Sequence, residues 1–220
     1  MEIESISEIN GINLVEENDV NILSVGVSTA GNAEIEMIKK NPKCHIIATT
    51  IDENGIKLTE EYIKKQGYED KIELKLEDIS QKLDYADNYF DYVYARLVLH
   101  YLDNIKLKNA LDEIYRILKP NGKLYVVVRS LNEWEAKLEG SSYDETTGLT
   151  KYPDIKTLGT DDVRYIYRRL HSEESIKKFL EEANFNIEYI KTYNEYLCRD
   201  YNRQDINPKP SELIEVLAKK

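Results

Sequence analysis

The chain has 220 residues, 41% of them hydrophobic, which is enough for one substantial core and short for two ordinary α/β domains. Its 41 acidic side chains outnumber 30 Lys and Arg, and the net charge of -11 disfavours a nucleic-acid partner. No apolar run reaches the roughly 18–20 residues of a membrane helix, and the two Cys and three His lack zinc-site spacing. We expect one cytoplasmic domain over residues 1–220, with neither membrane segment nor metal.

Two strand–helix units open the chain. The apolar run Ile22 to Val27 is short enough for a buried strand, and a turn of small residues separates it from a helix predicted over 32–40. Asn41-Pro42 ends that helix. A second strand is predicted over 45–51 and a second helix over 55–66.

The same alternation continues to about residue 130. Strands are predicted over 71–76 and 90–95, a helix over 103–119, and a strand over 124–128 after Pro120-Asn121-Gly122. Strands and helices alternating at this pitch predict right-handed crossovers and a parallel sheet covered on both faces. Residues 20–130 are therefore the expected core, of the kind that holds an adenosine-containing ligand at its strand ends.

The pattern breaks after Arg129. Residues 131–168 are polar, carry Gly140, Gly148, Pro153 and Gly159, and lack a sustained period, which predicts a mobile cover or insertion. Residues 169–220 predict a helix that starts at Ser172 and two strands, over 186–192 and 212–218, paired antiparallel at the sheet edge. The expected fold is a doubly wound α/β domain with a mostly parallel, seven-stranded sheet and an antiparallel edge hairpin.

Ligands of such sheets bind beyond the carboxyl ends of the strands, so the first candidates lie just past the first two strands. Ser24, Gly26 and Ser28 belong to the first loop, where small residues let the backbone approach a ligand, although a plain tight turn explains them too. Asp52, next to Glu53, can accept both hydrogen bonds of a ribose diol or can cap the following helix. The adjacent first loop favours the ribose.

Further candidates follow the third and fourth strands. The Asp78 carboxylate can accept an adenine amino hydrogen while the Ile79 amide meets a ring nitrogen, and loop solvation is the alternative. Beyond the fourth strand come Arg96 and Leu97, of which Leu97 can cover the ligand. His100 is a candidate catalytic residue, and a buried or capping histidine is the alternative.

A linked pattern joins these elements: Phe90-Asp91-Tyr92-Val93, then Leu99-His100-Tyr101-Leu102, then ALDEIYRILKPNGKLYVVV from Ala110 to Val128. It resembles the class I S-adenosylmethionine-dependent methyltransferases of the small-molecule type, and the resemblance covers roughly residues 20–130. It implies an EC 2.1.1-type transfer from S-adenosyl-L-methionine to a small-molecule acceptor, with S-adenosyl-L-homocysteine as the product. It also implies that Gly26, Asp52, Asp78 and Ile79 cradle the cofactor.

The first loop departs from the family pattern DxGxGxG. Ser28 and Ala30 stand at two of its glycine positions, and Ser24 stands where the family has an acid that orients the methionine amino group. Glu34 or Glu36 can replace that acid from the following helix, or both can belong to a solvated helix face. The altered loop motivates one alternative, a non-catalytic or regulatory binding module. A nicotinamide or nucleotide-sugar enzyme is another, although a G-x-G-x-x-G run is missing.

The acceptor side is expected in the variable segments. If the acceptor atom must lose a proton, His100 and His171 are the candidate bases. The arginines of this region can hold an acceptor carboxylate or phosphate or can be solvated surface; they are Arg129, Arg164, Arg168 and Arg169. The sequence leaves a homo-oligomer open.

Overall fold

The computed structural model describes residues 5–27, 31–198 and 205–220. Its strands are β1 (Asn21–Val25), β2 (His45–Thr50), β3 (Ile72–Leu76), β4 (Phe90–Arg96), β5 (Leu118–Arg129), β6 (Ser142–Asp144), β7 (Leu149–Pro153), β8 (Tyr165–Arg168), β9 (Asn186–Glu195) and β10 (Ser211–Lys219). Its α-helices are α1 (Ile6–Asn13), α2 (Asn32–Lys40), α3 (Glu53–Gln66), α4 (Asn104–Ile117) and α5 (Glu173–Glu182).

Seven of these strands form one sheet in the order β3-β2-β1-β4-β5-β10-β9. The pairings among β1 to β5 are parallel, whereas β10 is antiparallel to both β5 and β9. The α/β class, the mostly parallel seven-stranded sheet and the antiparallel edge hairpin are confirmed. Because β1 to β5 are parallel, their carboxyl ends lie along one edge of the sheet.

Helices cover both faces of the sheet, which explains why the central strands are nearly continuous apolar runs. Leu107 and Leu111 of α4 pack with Leu180 of α5 in the core of one face. Met37 of α2 and Ile63 of α3 belong to the core of the other. The apolar spacing read from the sequence therefore identifies the buried side of α4 and α5.

Helix α1 is an element that the sequence did not indicate. It approaches the sheet closely at Gly11, where a Cβ atom would lie 2.4 Å from Tyr94 Cε2 and 2.7 Å from Tyr125 Cε1. The Tyr92 hydroxyl donates to the Gly11 carbonyl oxygen at 2.9 Å, and the Tyr125 hydroxyl donates to that of Ser7 at 2.6 Å. Tyrosine hydroxyls, rather than a long apolar stripe, hold this helix in place.

The junction of α4 and β5 differs from the prediction. The helix ends at Ile117, and the strand begins at Leu118, before Pro120-Asn121-Gly122 rather than after it. Leu118 pairs with Phe90, and a register shift between Phe90 and Tyr92 accommodates the irregular residues. Pairing with β4 therefore extends β5 across a sequence that reads as a stop signal.

Residues 131–168 contain a second sheet, with the order β6-β7-β8 and antiparallel pairing throughout. We call these residues the cover segment. Its strands are only three to five residues long, too short for an alternating pattern to be recognised in the sequence. In the described part of the chain, no helix combines the length and apolar character needed to cross a membrane.

Candidate cofactor and acceptor site

Three of the predicted cofactor residues follow neighbouring strands at one sheet edge. Val25 pairs with Thr49, and Thr50 pairs with Leu76, so β1, β2 and β3 end at nearly the same level. Neighbouring strands lie about 4.8 Å apart. The topology therefore places Gly26, Asp52 and Asp78 just past the ends of three adjacent strands.

Gly26 is held in a left-handed conformation, with φ +77°. A Cβ atom at this position would lie 2.7 Å from Val98 Cγ2, so the loop after β1 packs directly against the loop after β4. Its amide donates to the Thr49 carbonyl oxygen at 2.9 Å. Both the backbone conformation and the close approach require glycine. Ser28, the next predicted residue of this loop, lies outside the described residues.

Ser24 and Glu34 form a buried pair beneath this loop. The Ser24 hydroxyl donates to Glu34 Oε1 at 2.5 Å, and the two residues are only 1% and 3% exposed. Burial raises the pKa of Glu34, and the hydrogen bond from Ser24 offsets this only in part. Glu36, in contrast, is exposed and pairs with Lys39. Glu34 and Glu36 were the two residues considered as substitutes for the missing acid. Of these, Glu34 places its carboxylate against Ser24, where the family has the acid.

Asp52 caps α3. Its Oδ1 accepts a hydrogen bond from the Asn54 amide at 3.0 Å, and a Cβ atom at Gly55 would lie 2.6 Å from Oδ2, so the glycine makes room for the cap. The capping interpretation left open by the sequence is therefore realised. The carboxylate is exposed at the strand-end edge, so its predicted contact with a ribose stays a prediction. Glu53, the first residue of α3, is also exposed.

Asp78 and Ile79 occupy the turn after β3. Asp78 Oδ1 accepts hydrogen bonds from the Ser80 amide at 2.9 Å and the Ser80 hydroxyl at 2.8 Å. Burial opposes ionisation of Asp78, but these hydrogen bonds outweigh it and lower the pKa of its carboxyl. The Ile79 side chain is buried in the core, which leaves its backbone for a ligand.

The end of β4 is tied to α1 and β9 through Arg96. Its guanidinium donates to the hydroxyls of Ser5 and Ser7 at 2.7 Å each, and its Nη2 lies 3.3 Å from Glu195 Oε1. Leu97, the next residue, has φ +55°, a conformation that costs a non-glycine residue roughly 1 kcal/mol or more. Such strain at a strand end is typical of ligand-binding loops.

A cavity of about 450 Å³ lies at the same sheet edge, on the β4 and β5 side. Its lining includes Asn32 at the start of α2, the pair Arg96 and Leu97, and His100. The cover segment closes the far side with residues that the sequence did not single out, such as Glu135 and Asp154. Gly26, Asp52 and Asp78 are not part of this lining. The edge thus has two regions, one at β1 to β3 and one at β4 and β5.

The two predicted catalytic histidines lie in different surroundings. His100 is 1% exposed and lines the cavity, and neither of its ring nitrogens has a hydrogen-bond partner among the residues that the structure describes. Burial lowers the pKa of His100 well below its usual value, and the charges of Arg168 and Arg129 lower it further. His171 is not part of the cavity lining. Its Nδ1 lies 3.0 Å from the Ser175 hydroxyl, and burial lowers its pKa to about 3.

The four candidate arginines also differ. Arg129 lines the cavity and donates to Glu133 at 2.6 Å and Glu135 at 3.1 Å. Arg168 lines the cavity as well. Arg164 is exposed, and Arg169 is buried against the Asn104 side chain and the Thr147 carbonyl oxygen, outside the cavity lining.

Solved structures share this fold. A SAM-dependent methyltransferase from Methanosarcina mazei superimposes with a TM-score of 0.73 at 20% identity, over 94% of this chain and 95% of that one. The [4+2]-cyclase SpnF superimposes with a TM-score of 0.66 at 19% identity, over 98% and 79% of the two chains. In sequence, residues 23–126 match the family described as methyltransferase domain. Residues 23–126 thus carry the sequence of the methyltransferase-domain family, and the fold of the whole chain is that of S-adenosylmethionine-dependent methyltransferases.

Curated relatives of this chain match it in part. The ubiquinone/menaquinone biosynthesis C-methyltransferase UbiE of Rhizobium meliloti is 31% identical over 171 residues, which is 76% of this chain and 61% of that protein. For three further curated relatives, this chain spans between 32% and 58% of the relative's own length.

The β1 to β3 region fits the S-adenosylmethionine that the family uses. Glu34 is a buried carboxylate that forms no ion pair with a cationic side chain among the described residues, and it is therefore complementary to an ammonium group. Two large apolar side chains, Ile51 and Leu76, are 75% and 53% exposed beside the ends of β2 and β3, where a flat ring can pack. Asp78 adds an ionised acceptor for amino hydrogens.

Proposed function

We propose that this chain transfers the methyl group of S-adenosylmethionine to a small-molecule acceptor bound in the cavity beside β4 and β5. The observation that supports the proposal is the position of the cavity. Its lining begins at Asn32 and Leu97, next to the cofactor region, and continues to His100 and the cover segment. A volume of about 450 Å³ is in the range of small-molecule pockets. The UbiE relative, by its name, also acts on a small molecule of quinone biosynthesis.

The cofactor supplies the reactive methyl group when it is bound, and the chain supplies alignment. In our proposal the Glu34 carboxylate binds the methionine ammonium, assisted by the Ser24 hydroxyl. Asp78 and the Ile79 amide hold the adenine, and the Asp52 carboxylate with Glu53 beside it holds the ribose. The first loop, with Gly26 and Ser28, lies against the methionine part.

The acceptor is held by the other half of the edge. Arg96 fixes the end of β4 through its bonds to Ser5 and Ser7, and Leu97 separates the cofactor region from the cavity. His100 is neutral because its pKa is low, so a ring nitrogen can accept a hydrogen bond from the acceptor, while the same low pKa makes it a weak proton acceptor. We do not extend this role to His171, which faces Ser175 instead.

We also propose that residues 1–220 act as one domain. The core over 20–130 is completed by β9 and β10 from residues 169–220, which extend its sheet. The cover segment borders the cavity of that core.

Calorimetric titration with S-adenosylmethionine tests the cofactor half of the proposal. We expect a single 1:1 site that Asp52→Ser weakens, because serine keeps the helix cap but removes the carboxylate. Asp103→Ser is the matched control, since Asp103 caps α4 in the same way through the Lys106 amide. Absence of binding at millimolar cofactor would refute the proposal.

A non-catalytic binding module is the second candidate. It is favoured by the altered first loop. Formation of S-adenosylhomocysteine in the presence of a broad panel of phenols, acids and amines separates the two candidates. Cofactor binding without turnover of any acceptor would support the module, and turnover would exclude it.

A further inference from the structure

Arg168 is the last residue of β8 and lines the cavity, with its side chain 13% exposed. Its Nη1 donates to the Tyr152 hydroxyl at 2.8 Å, and its Nη2 donates to the Tyr101 hydroxyl at 3.2 Å. The guanidinium carbon also lies 5.3 Å and 5.9 Å from the ring centroids of Tyr101 and Tyr152. The two tyrosines thus fix the guanidinium at the cavity wall.

These partners leave the positive charge of Arg168 without a hydrogen-bonded carboxylate in the described part of the chain. The nearest carboxylate oxygen is Glu135 Oε2 at 3.9 Å, beyond hydrogen-bond distance, and that oxygen lies closer to Arg129 Nη1, at 3.1 Å. Arg168 Nε has no hydrogen-bond partner within residues 5–27, 31–198 and 205–220. A guanidinium has five N–H donors, so Arg168 keeps unused donors beside the cavity.

The other two arginines of the cavity differ from Arg168 in this respect. Arg129 donates to Glu133 at 2.6 Å, and Arg96 lies 3.3 Å from Glu195. Removing a cation from water is costly unless an anion compensates it. The imidazole of His100, whose ring nitrogens have no hydrogen-bond partner among the described residues, lines the same cavity as Arg168 and Arg129.

We propose that Arg168 binds an oxyanion of the methyl acceptor, a carboxylate or a phosphate. This inference rests on the proposed function, because it assigns the acceptor to the same cavity. Arg168 is then the residue that selects anionic acceptors, and Tyr101 and Tyr152 are positioning residues that set the plane of its guanidinium. A planar fork of donors suits either oxyanion.

Ligand-observed NMR titrations with three probes test this proposal: benzoate, phenyl phosphate and the neutral benzamide. We expect at least one anion to bind about tenfold or more tightly than benzamide, since hydrogen bonds to charged groups contribute more than neutral ones. The anion that binds more tightly shows whether the oxyanion recognised by Arg168 is a carboxylate or a phosphate. In Arg168→Gln the preference should disappear while benzamide binding is unchanged. Arg164→Gln, on the exposed residue that precedes β8, should behave as the unmodified chain.

Arg168→Lys keeps the test decisive if Arg168→Gln fails to fold, because the charge stays and the fork is lost. The lysine variant should keep an anion preference, several-fold weaker. Equal binding of all three probes, no binding of any, or an unchanged preference in the Arg168 variants would overturn the proposal. S-adenosylmethionine is titrated into the same samples to measure cofactor binding separately from binding of the three probes. Cofactor binding without anion preference refutes Arg168 alone, whereas loss of cofactor binding refutes the proposed function.

Discussion

Glu215 on β10 holds helix α1, which borders the cavity, through a hydrogen bond to Asn10. Replacing Glu215 should show how much its hydrogen bonds, as distinct from its packing, contribute to the free energy of unfolding. The carboxylate is fully buried. Its Oε2 accepts from Asn10 Nδ2 at 2.8 Å and from the Tyr193 hydroxyl at 2.6 Å, and its Oε1 accepts from the Tyr189 hydroxyl at 2.8 Å. The Tyr125 hydroxyl lies 2.9 Å from Glu215 Oε2, but its single proton is shared between that oxygen and the Ser7 carbonyl oxygen.

Glu215→Leu removes the acceptor for three full donors, those of Asn10, Tyr189 and Tyr193. Each donor left without a partner costs on the order of 1 kcal/mol in a partly buried setting, so the free energy of unfolding should fall by about 3 kcal/mol. Glu215→Gln keeps one oxygen, and hydroxyls can reorient towards its amide. We expect that variant to lose only about 1 kcal/mol.

Urea denaturation followed by circular dichroism measures both variants. Glu212→Leu is the matched control on the same strand, because Glu212 is only partly buried and bonds to Ser130 and Asn132. It should cost less than about 1 kcal/mol. Equal, small losses for the Leu and Gln variants of Glu215 would refute the reasoning, because hydrogen bonding would then contribute nothing at this site.

Three further outcomes are expected. Burial raises the pKa of Glu34 above the ordinary value of 4.5, so its folded-state stability contribution is present at low pH and is lost as pH rises through the raised value. Glu34→Gln should therefore gain stability over the unmodified chain above about pH 5 and converge with it below; a difference independent of pH would contradict this. Gly26→Ala should cost about 2–3 kcal/mol in urea denaturation, and Val98→Gly in the same chain should recover the steric part, because a Cβ at position 26 would lie 2.7 Å from Val98 Cγ2 and 2.9 Å from Val98 Cβ; no recovery would exclude the clash. The pKa of His100 should lie well below the ordinary value of 6.5 in NMR of ¹⁵N-labelled imidazoles, because burial and the charges of Arg168 and Arg129 lower it, and titration near 6.5 would disprove its burial among cations.

The repeating elements were predictable because each has a local cause. Apolar runs of strand length, helical spacing on α4 and the capping residue Ser172 of α5 all act within a few residues of sequence. Residues past strand ends could be named in advance for the same reason, since parallel topology brings them to one edge. Asp52 and Asp78 follow from this rule.

Features that depend on distant contacts were missed, as with helix α1, or left open between alternatives, as with Glu34 and Arg168. Helix α1 is held by hydroxyls from β4 and β5, and the short strands of the cover segment pair only with one another. Glu34 gave no local sign of burial, because its meeting with Ser24 arises from the packing of α2 on β1. Arg168 likewise acquires its role from tyrosines 16 and 67 residues away in sequence.

The small sheet β6-β7-β8 shares no strand with the seven-stranded sheet. Mutations in its loops therefore leave the hydrogen-bond ladder of the larger sheet intact, while they reshape the wall of the proposed acceptor cavity. A chimera that carries the corresponding residues of another member of the family should inherit the donor's choice of acceptor. Acceptor choice in such chains can thus change through exchange of the cover segment, while the seven-stranded sheet stays the same.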